Sequence, residues 1–321
     1  MTTKALLNVP VLCIFFARPE QFARTFATVK KAKPKTLLLW QDGPRSNNPL
    51  DEQKVKECRE IAKQIDWECN VHKCYHDENM GCDPSTFLAM RWAFSLVDKC
   101  IILEDDLVAS QSFFKFCEEM LYKYETDERI DRVCGTNLLG RYDIPYDYFF
   151  NNVGNSWGWA TWRRVAEQWE KDYKFINDEY AVSRMRALQP SLTPHLLWEK
   201  ECIQHQAEQV PYWEHIIGAQ CLLNNRLVIY PSVNMVHNIG LDSNSTHAPA
   251  KISELPKSVQ SFFKNEAQDL NWPLIHPKYI INDQIFSKLC KNKLEGSIFS
   301  QFVTYIERII LKIKKLCSCT A

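Results

Sequence analysis

Glu104, Asp105 and Asp106 place three carboxylates in a row, directly after the apolar run Ile101-Ile102-Leu103. Adjacent carboxylates repel, and crowding them disfavours ionisation. A divalent cation removes that penalty. Oxygen ligands suit Mg2+ or Mn2+, which take one or two carboxylates and fill their shells with substrate phosphates. Such an ion would bridge Asp106 and a diphosphate, stabilising charge on a departing nucleotide. The competing reading is an acidic loop that caps the next helix near its positive dipole end. A buried strand immediately before the triplet weighs against it. A second group, Trp157, Trp159 and Trp162, stands beside Gly154 and Gly158. Apolar sugar faces pack on such rings, and glycine lets backbone approach a ligand. An aromatic core beneath a long loop would have the same composition.

The elements that must hold these groups follow from pattern. Val11–Phe16 is a short apolar run, read as a first buried strand, and residues 19–31 carry Phe22, Phe26 and Val29 at helical spacing. Thr36–Trp40 is a second strand ending in the turn Gln41-Asp42-Gly43-Pro44. Residues 51–65 put Val55, Cys58, Ile61, Ala62 and Ile65 on one helical face. A third strand is expected over 69–75, a helix over 84–97 with proline in its first turn, and a fourth strand over 100–103. Ser110 reads as the N-cap of a helix reaching Tyr124. Strands alternating with helices predict an α/β fold, a mostly parallel Rossmann-like sheet flanked by helices. Ligands bind such sheets at the carboxyl ends of strands. Asp42 and the triplet both follow strands, so both are expected to border one crevice.

Composition narrows the classes. The 321 residues are 45% hydrophobic and 24% charged, and 39 basic residues balance 39 acidic ones. That balance argues against a nucleic-acid binder and gives no general attraction to anionic membranes. The 13 cysteines are scattered, with no Cys-x-x-Cys pair, and read as reduced core residues rather than a zinc site. Leu6–Phe16 is too short to span a bilayer and lacks a cleavage site, so a cytoplasmic location is expected. Residues 298–316 form a basic amphipathic helix candidate that could lie on the inner face of the cytoplasmic membrane, or pack on the domain. Two units are expected: 1–250, binding the ligand and carrying the chemistry, and 251–321, a C-terminal extension ending in that helix.

The segment CIILEDDLVASQSFF, residues 100–114, resembles the acidic-triplet region of GT-A fold glycosyltransferases of the N-acetylglucosaminyltransferase I type and their bacterial relatives. Arg91-Trp92-Ala93-Phe94 and the turn Asn79-Met80-Gly81-Cys82 add to the likeness. So do Asn155–Trp162, NSWGWATW, and the stretch from Tyr212 to His247. The resemblance implies a metal-dependent glycosyltransferase moving a hexosyl or N-acetylhexosaminyl group, with inversion, from a UDP-sugar to a glycan or glycolipid acceptor. It implies that Asp106 binds Mn2+ or Mg2+, and that Glu104 and Asp105 contact the sugar or ribose. Arg18 would lie near the phosphates or base, and Asp42 near the base or ribose. Inverting transfer needs a carboxylate to take the acceptor proton. Relatives place an aspartate where this chain has Glu214, one methylene longer; Asp242 is the second candidate. A late histidine, His247, is implied as a metal ligand. Two other classes compete. A sugar nucleotidyltransferase would be expected to carry a glycine-rich phosphate loop where this chain has Phe16-Ala17-Arg18-Pro19. A carbohydrate-binding module explains the tryptophans but not the triplet.

Overall fold

Apolar side chains at every position make Val11–Phe15 (β1) and most of Thr36–Gln41 (β2) and Lys99–Glu104 (β4) suited to burial on both faces, which a sheet covered by helices requires. A computed structural model describes residues 3–188, 192–241 and 257–295 of the chain. In it, β1 pairs in parallel with both β2 and β4, and β2 with Asn70–Tyr75 (β3). β3 is the sheet edge, and its polar, partly exposed residues suit that position. Beyond β4 lie Trp159–Trp162 (β8), Ile130–Cys134 (β6), Leu227–Pro231 (β9) and Tyr148–Asn151 (β7), giving the order β3-β2-β1-β4-β8-β6-β9-β7. β8 and β7 run against the other strands. The fold is therefore α/β with a mostly parallel eight-stranded sheet, as the alternation of elements predicts.

Helices cover both faces. Pro19–Ala32 (α1), Leu50–Ala62 (α2) and Gln111–Lys123 (α4) pack together, α1 touching both others. Cys82–Leu96 (α3) packs with Arg163–Ala166 (α5) and with Trp213–Leu223 (α8). Ser110 caps α4, its Oγ accepting from Phe113 N at 3.3 Å. Of the stripe expected over 51–65, Val55, Cys58 and Ala62 are buried and Ile61 is partly buried on α2, which ends at Ala62, so Ile65, also partly buried against the core, lies beyond the helix.

Two features shape the sheet's carboxyl rim. The chain winds outward through β1, β2 and β3, then returns across β1 to form β4, so the rim between β1 and β4 is a topological switch point. After the triplet, Leu107–Ala109 (β5) pairs antiparallel with Val236–Asn238 (β10), and Ile239 N donates to the Asp106 carbonyl at 2.9 Å. This ribbon holds a late segment of the chain against the triplet. Near the other sheet edge, Gln284–Glu295 (α10) sets Phe286 against Phe149 and Tyr230. The Ile298–Leu316 helix candidate lies outside the described residues. Among the described residues no helix is long and apolar enough to cross a membrane.

Candidate active site

The switch point brings Arg18 to the triplet. β1 and β4 are in register with Ile14 opposite Glu104, and Arg18 is the residue that opens α1, just beyond β1. Its Nη2 lies 2.6 Å from Asp105 Oδ1 and 3.1 Å from Asp106 Oδ2. Asp105 is almost fully buried and also accepts from Phe16 N at 3.1 Å. Its backbone carbonyl accepts from Thr25 Oγ1 at 2.9 Å. Burial raises the Asp105 carboxyl to about 6 against the pull of Arg18, with the Asp106 charge adding to the rise. Asp105 thus fastens β4 to α1. Glu104 is pushed well above the usual carboxylate range, first by burial, then by Asp106, Glu214 and Asp105, with Arg18 opposing. The rim carries more negative charge than one guanidinium offsets.

A cavity of about 200 Å³ opens beside these groups, with Arg18, Glu104, Asp106, Asp83, Trp157 and Glu214 in its lining. Three helices begin here: α1 at Arg18, α3 at Cys82-Asp83 and α8 at Trp213-Glu214. Their N-terminal dipole ends favour an anion such as a phosphate. Gly81, at φ 86°, lets the chain turn into α3 in a conformation other residues resist. Glu214 stands in the first turn of α8. Its Oε1 accepts a short hydrogen bond from Ser156 Oγ, and its Oε2 accepts from Tyr212 Oη at 3.4 Å. Both bonds hold the carboxylate toward the cavity that Glu104 and Asp106 also line.

Gly240 follows the β5–β10 ribbon into the same lining. A Cβ there would lie 2.0 Å from Asp106 Oδ2, so a larger residue would push that carboxylate aside. Among the described residues no three His, Cys, Asp or Glu side chains converge as a metal-binding group. Asp106 nonetheless fits a dication of the kind held by one carboxylate and a ligand's phosphates. Asp106 would be its protein ligand, in a cradle that Gly240 keeps open.

The remaining residues singled out in the sequence fall in different places. Asp42 is buried outside this cavity. Its carboxylate accepts from Gly43 N at 2.9 Å, Met80 N at 3.0 Å and Asn79 Nδ2 at 3.1 Å, tying the loop after β2 to the loop before α3. Trp157 lines the cavity and packs on Phe263 at 4.9 Å. Trp159 does not reach the cavity: it is 1% exposed within β8, its ring parallel to that of Trp213 at 6.2 Å. Trp162 is also core, donating from Nε1 to the Leu121 carbonyl. Asp242 and His247 lie outside the described residues. Ser156, Asp83, Tyr212 and Gly240 join the site without having been singled out individually. Ser156, Tyr212 and Gly240 lie in segments that carry the resemblance, whereas Asp83 falls just beyond the Asn79–Cys82 turn and had no signal of its own.

No protein-family model and no curated protein sequence matches the chain. Among solved structures it is similar to the mannosyltransferase PcManGT from Pyrobaculum calidifontis in complex with GDP-Man and Mn2+. That likeness has 11% identity and a TM-score of 0.37, covering 68% of this chain and 70% of that one. It is also similar to HddC from Yersinia pseudotuberculosis complexed with GMP-PN, at 12% identity and a TM-score of 0.31, covering 50% of this chain and 79% of that one. At these scores the reading of the site rests on this chain's own residues.

Proposed function

We propose that the chain is a glycosyltransferase that moves a hexosyl or N-acetylhexosaminyl group from a nucleotide sugar, a UDP-sugar, to a hydroxyl of a glycan or glycolipid acceptor, with inversion. The observation that carries this reading is the placement of Glu214, oriented by Ser156 and Tyr212, in one cavity with Arg18, Glu104 and Asp106. Ser156 and Tyr212 fix both carboxylate oxygens of Glu214 in place, which orients the group to take a proton from an acceptor hydroxyl. In the proposed step the acceptor oxygen bonds to the anomeric carbon as the bond from that carbon to the phosphate oxygen breaks. The acceptor proton passes to Glu214, and the electron pair leaves with the nucleoside diphosphate.

The other residues divide the remaining work. The helix N-termini and Arg18 provide positive potential where the diphosphate charge develops, the kind of preorganised stabilisation that dominates group transfer. Glu104, held in its protonated form more readily than an ordinary carboxyl, can donate a hydrogen bond to a sugar hydroxyl. Asp105 supports the site from below by fixing Arg18. A Mn2+ or Mg2+ on Asp106 would supply Lewis-acid neutralisation of the diphosphate. Asp42 acts here by positioning the α3 entrance.

The test is isothermal titration of UDP and GDP into the full chain, with and without MnCl2, followed by a donor-hydrolysis screen over nucleotide sugars. UDP binding that requires Mn2+, and is lost in Asp106→Asn, supports the proposal. No nucleotide binding under any of these conditions would sink it.

A further inference from the structure

A second, larger cavity of about 450 Å³ lies on the other side of Glu214 and shares only that residue and Trp157 with the first. Its size is within the range of small-molecule sites. Its walls come from the loop before β8 (Asn152–Trp157), from Trp198, and from one face of α8 carrying His215, Gly218 and Leu222.

Gly218 is the informative residue. It sits inside α8, where glycine weakens a helix relative to alanine. A Cβ there would meet nothing within 4 Å, so packing gives no reason for its absence. The space above it is the cavity. Polar groups beside the cavity also lack partners: Arg132 Nε and His215 Nδ1 are buried with no hydrogen bond among the described residues. Buried polar atoms without partners are uncommon. Arg132 is nonetheless not a spare charge, because its Nη1 donates to Asp131 Oδ1 at 2.6 Å and both side chains are buried. Of the described lining residues Arg132 carries the one permanent positive charge, and Glu214 carries a negative one. An anionic ligand would find its cation already answered and a carboxylate opposite.

We propose that this second cavity binds the acceptor as a neutral pyranoside, with Trp157 and Trp198 as apolar walls and one hydroxyl delivered to Glu214. The inference rests on the proposed transfer reaction, since it makes Glu214 the boundary between donor and acceptor. A donor in the first cavity and a base in the shared wall leave the far side for the attacking hydroxyl. Gly218 then sets the depth available to the sugar ring.

The test uses isothermal titration of the full chain with methyl glucopyranoside, methyl N-acetylglucosaminide and methyl glucuronide. A neutral glycoside should bind, and the glucuronide should bind roughly tenfold more weakly or worse. Gly218→Phe, which fills the cavity from a half-buried position on the helix, should weaken the neutral glycoside at least about tenfold while Mn2+-dependent UDP binding persists. Gly218→Ala should retain glycoside binding and shows that the helix tolerates a side chain there. Trp198→Ala should weaken the glycoside as Gly218→Phe does. Unchanged glycoside affinity in Gly218→Phe, glucuronide binding as tight as the neutral sugar, or no glycoside binding to a preparation that binds UDP would each overturn the proposal. If UDP fails to bind while a neutral glycoside binds and Gly218→Phe blocks it, the nucleotide-sugar reading falls and the saccharide cavity stands.

Discussion

Replacing Arg18 by methionine isolates the electrostatic argument for the rim. The substitution keeps an unbranched apolar stem and removes a guanidinium that touches Asp105 at 2.6 Å and Asp106 at 3.1 Å. Contact pairs near a protein surface are worth about 4 kcal/mol at an effective dielectric of about 20. Removing one partner of a buried pair costs about 3–5 kcal/mol, because the other charge is stranded. Asp105 is 4% exposed but Arg18 is 21% exposed, so water reaches one end of the pair and the lower part of that range applies. The expected loss is about 3 kcal/mol, within the stability of a domain this size, so the variant should still fold. Urea denaturation reads it as a lower midpoint at unchanged slope. Adding Asp105→Asn should then return about half or more of the loss, since the amide oxygen would still accept from Phe16 N without carrying charge. A loss below about 0.5 kcal/mol for the single variant, or strictly additive losses in the double variant, would refute the view that Arg18 offsets a buried acidic cluster.

Four further outcomes follow from the geometry. Glu214→Gln should lower sugar transfer by about 10²–10⁴ while leaving nucleotide affinity intact, measured by steady-state kinetics beside titration calorimetry. Gly218→Ala should raise stability by about 0.5–1 kcal/mol in urea melts, since the added methyl meets open space in a helix. Gly154→Ala should destabilise by about 1–3 kcal/mol, because its Cβ would fall 1.7 Å from Arg132 Nη2, which Asp131 holds in place. His215, packed against Tyr212, His205 and Trp198 with Glu201 at 3.5 Å, is drawn down to about 4 by burial and by His205. The unfolded chain therefore takes up this proton first as pH falls below 6.5. Up to about 3 kcal/mol of stability should disappear between pH 6.5 and 4, and His215→Phe should flatten that decline in urea titrations across the range.

Local signals were enough for the first half of the fold. Val11–Phe15 and residues 100–103 within β4 are continuous apolar runs, and α1 and α4 carry regular apolar stripes, so period and caps locate them within a residue or two. Trp159-Ala-Thr-Trp162 was harder to read. It is a central strand buried throughout, so it lacks alternation, and its tryptophans suggest a binding surface as readily as a core. Asp42 shows a different limit. Its Asp-Gly-Pro sequence indicates a turn, yet its carboxylate is used by Asn79 and Met80, more than thirty residues away. Likewise the meeting of Ser156 with Glu214 depends on β8 and α8 packing, which no local window contains. The triplet was legible as a rim group because strand ends in parallel sheets share one rim, whereas the same rule put Asp42 beside it and Asp42 lies outside that cavity; Arg18 was expected there only through the family resemblance. Gly218 was not legible, since its meaning lies in the space around it.

The reversal of β8 has a consequence for how such a protein can diversify. In a wholly parallel sheet every loop at the carboxyl rim leaves a strand. Because β8 runs the other way between β4 and β6, residues 152–158 arrive at that rim on their way into the sheet. The long excursion from β6 out through β7 and back to β8 can therefore change in length or sequence while the strands that anchor Arg18 and the triplet keep their register. On the proposed function, a different acceptor would be met by editing this inbound segment while Arg18 and the triplet stay where they are.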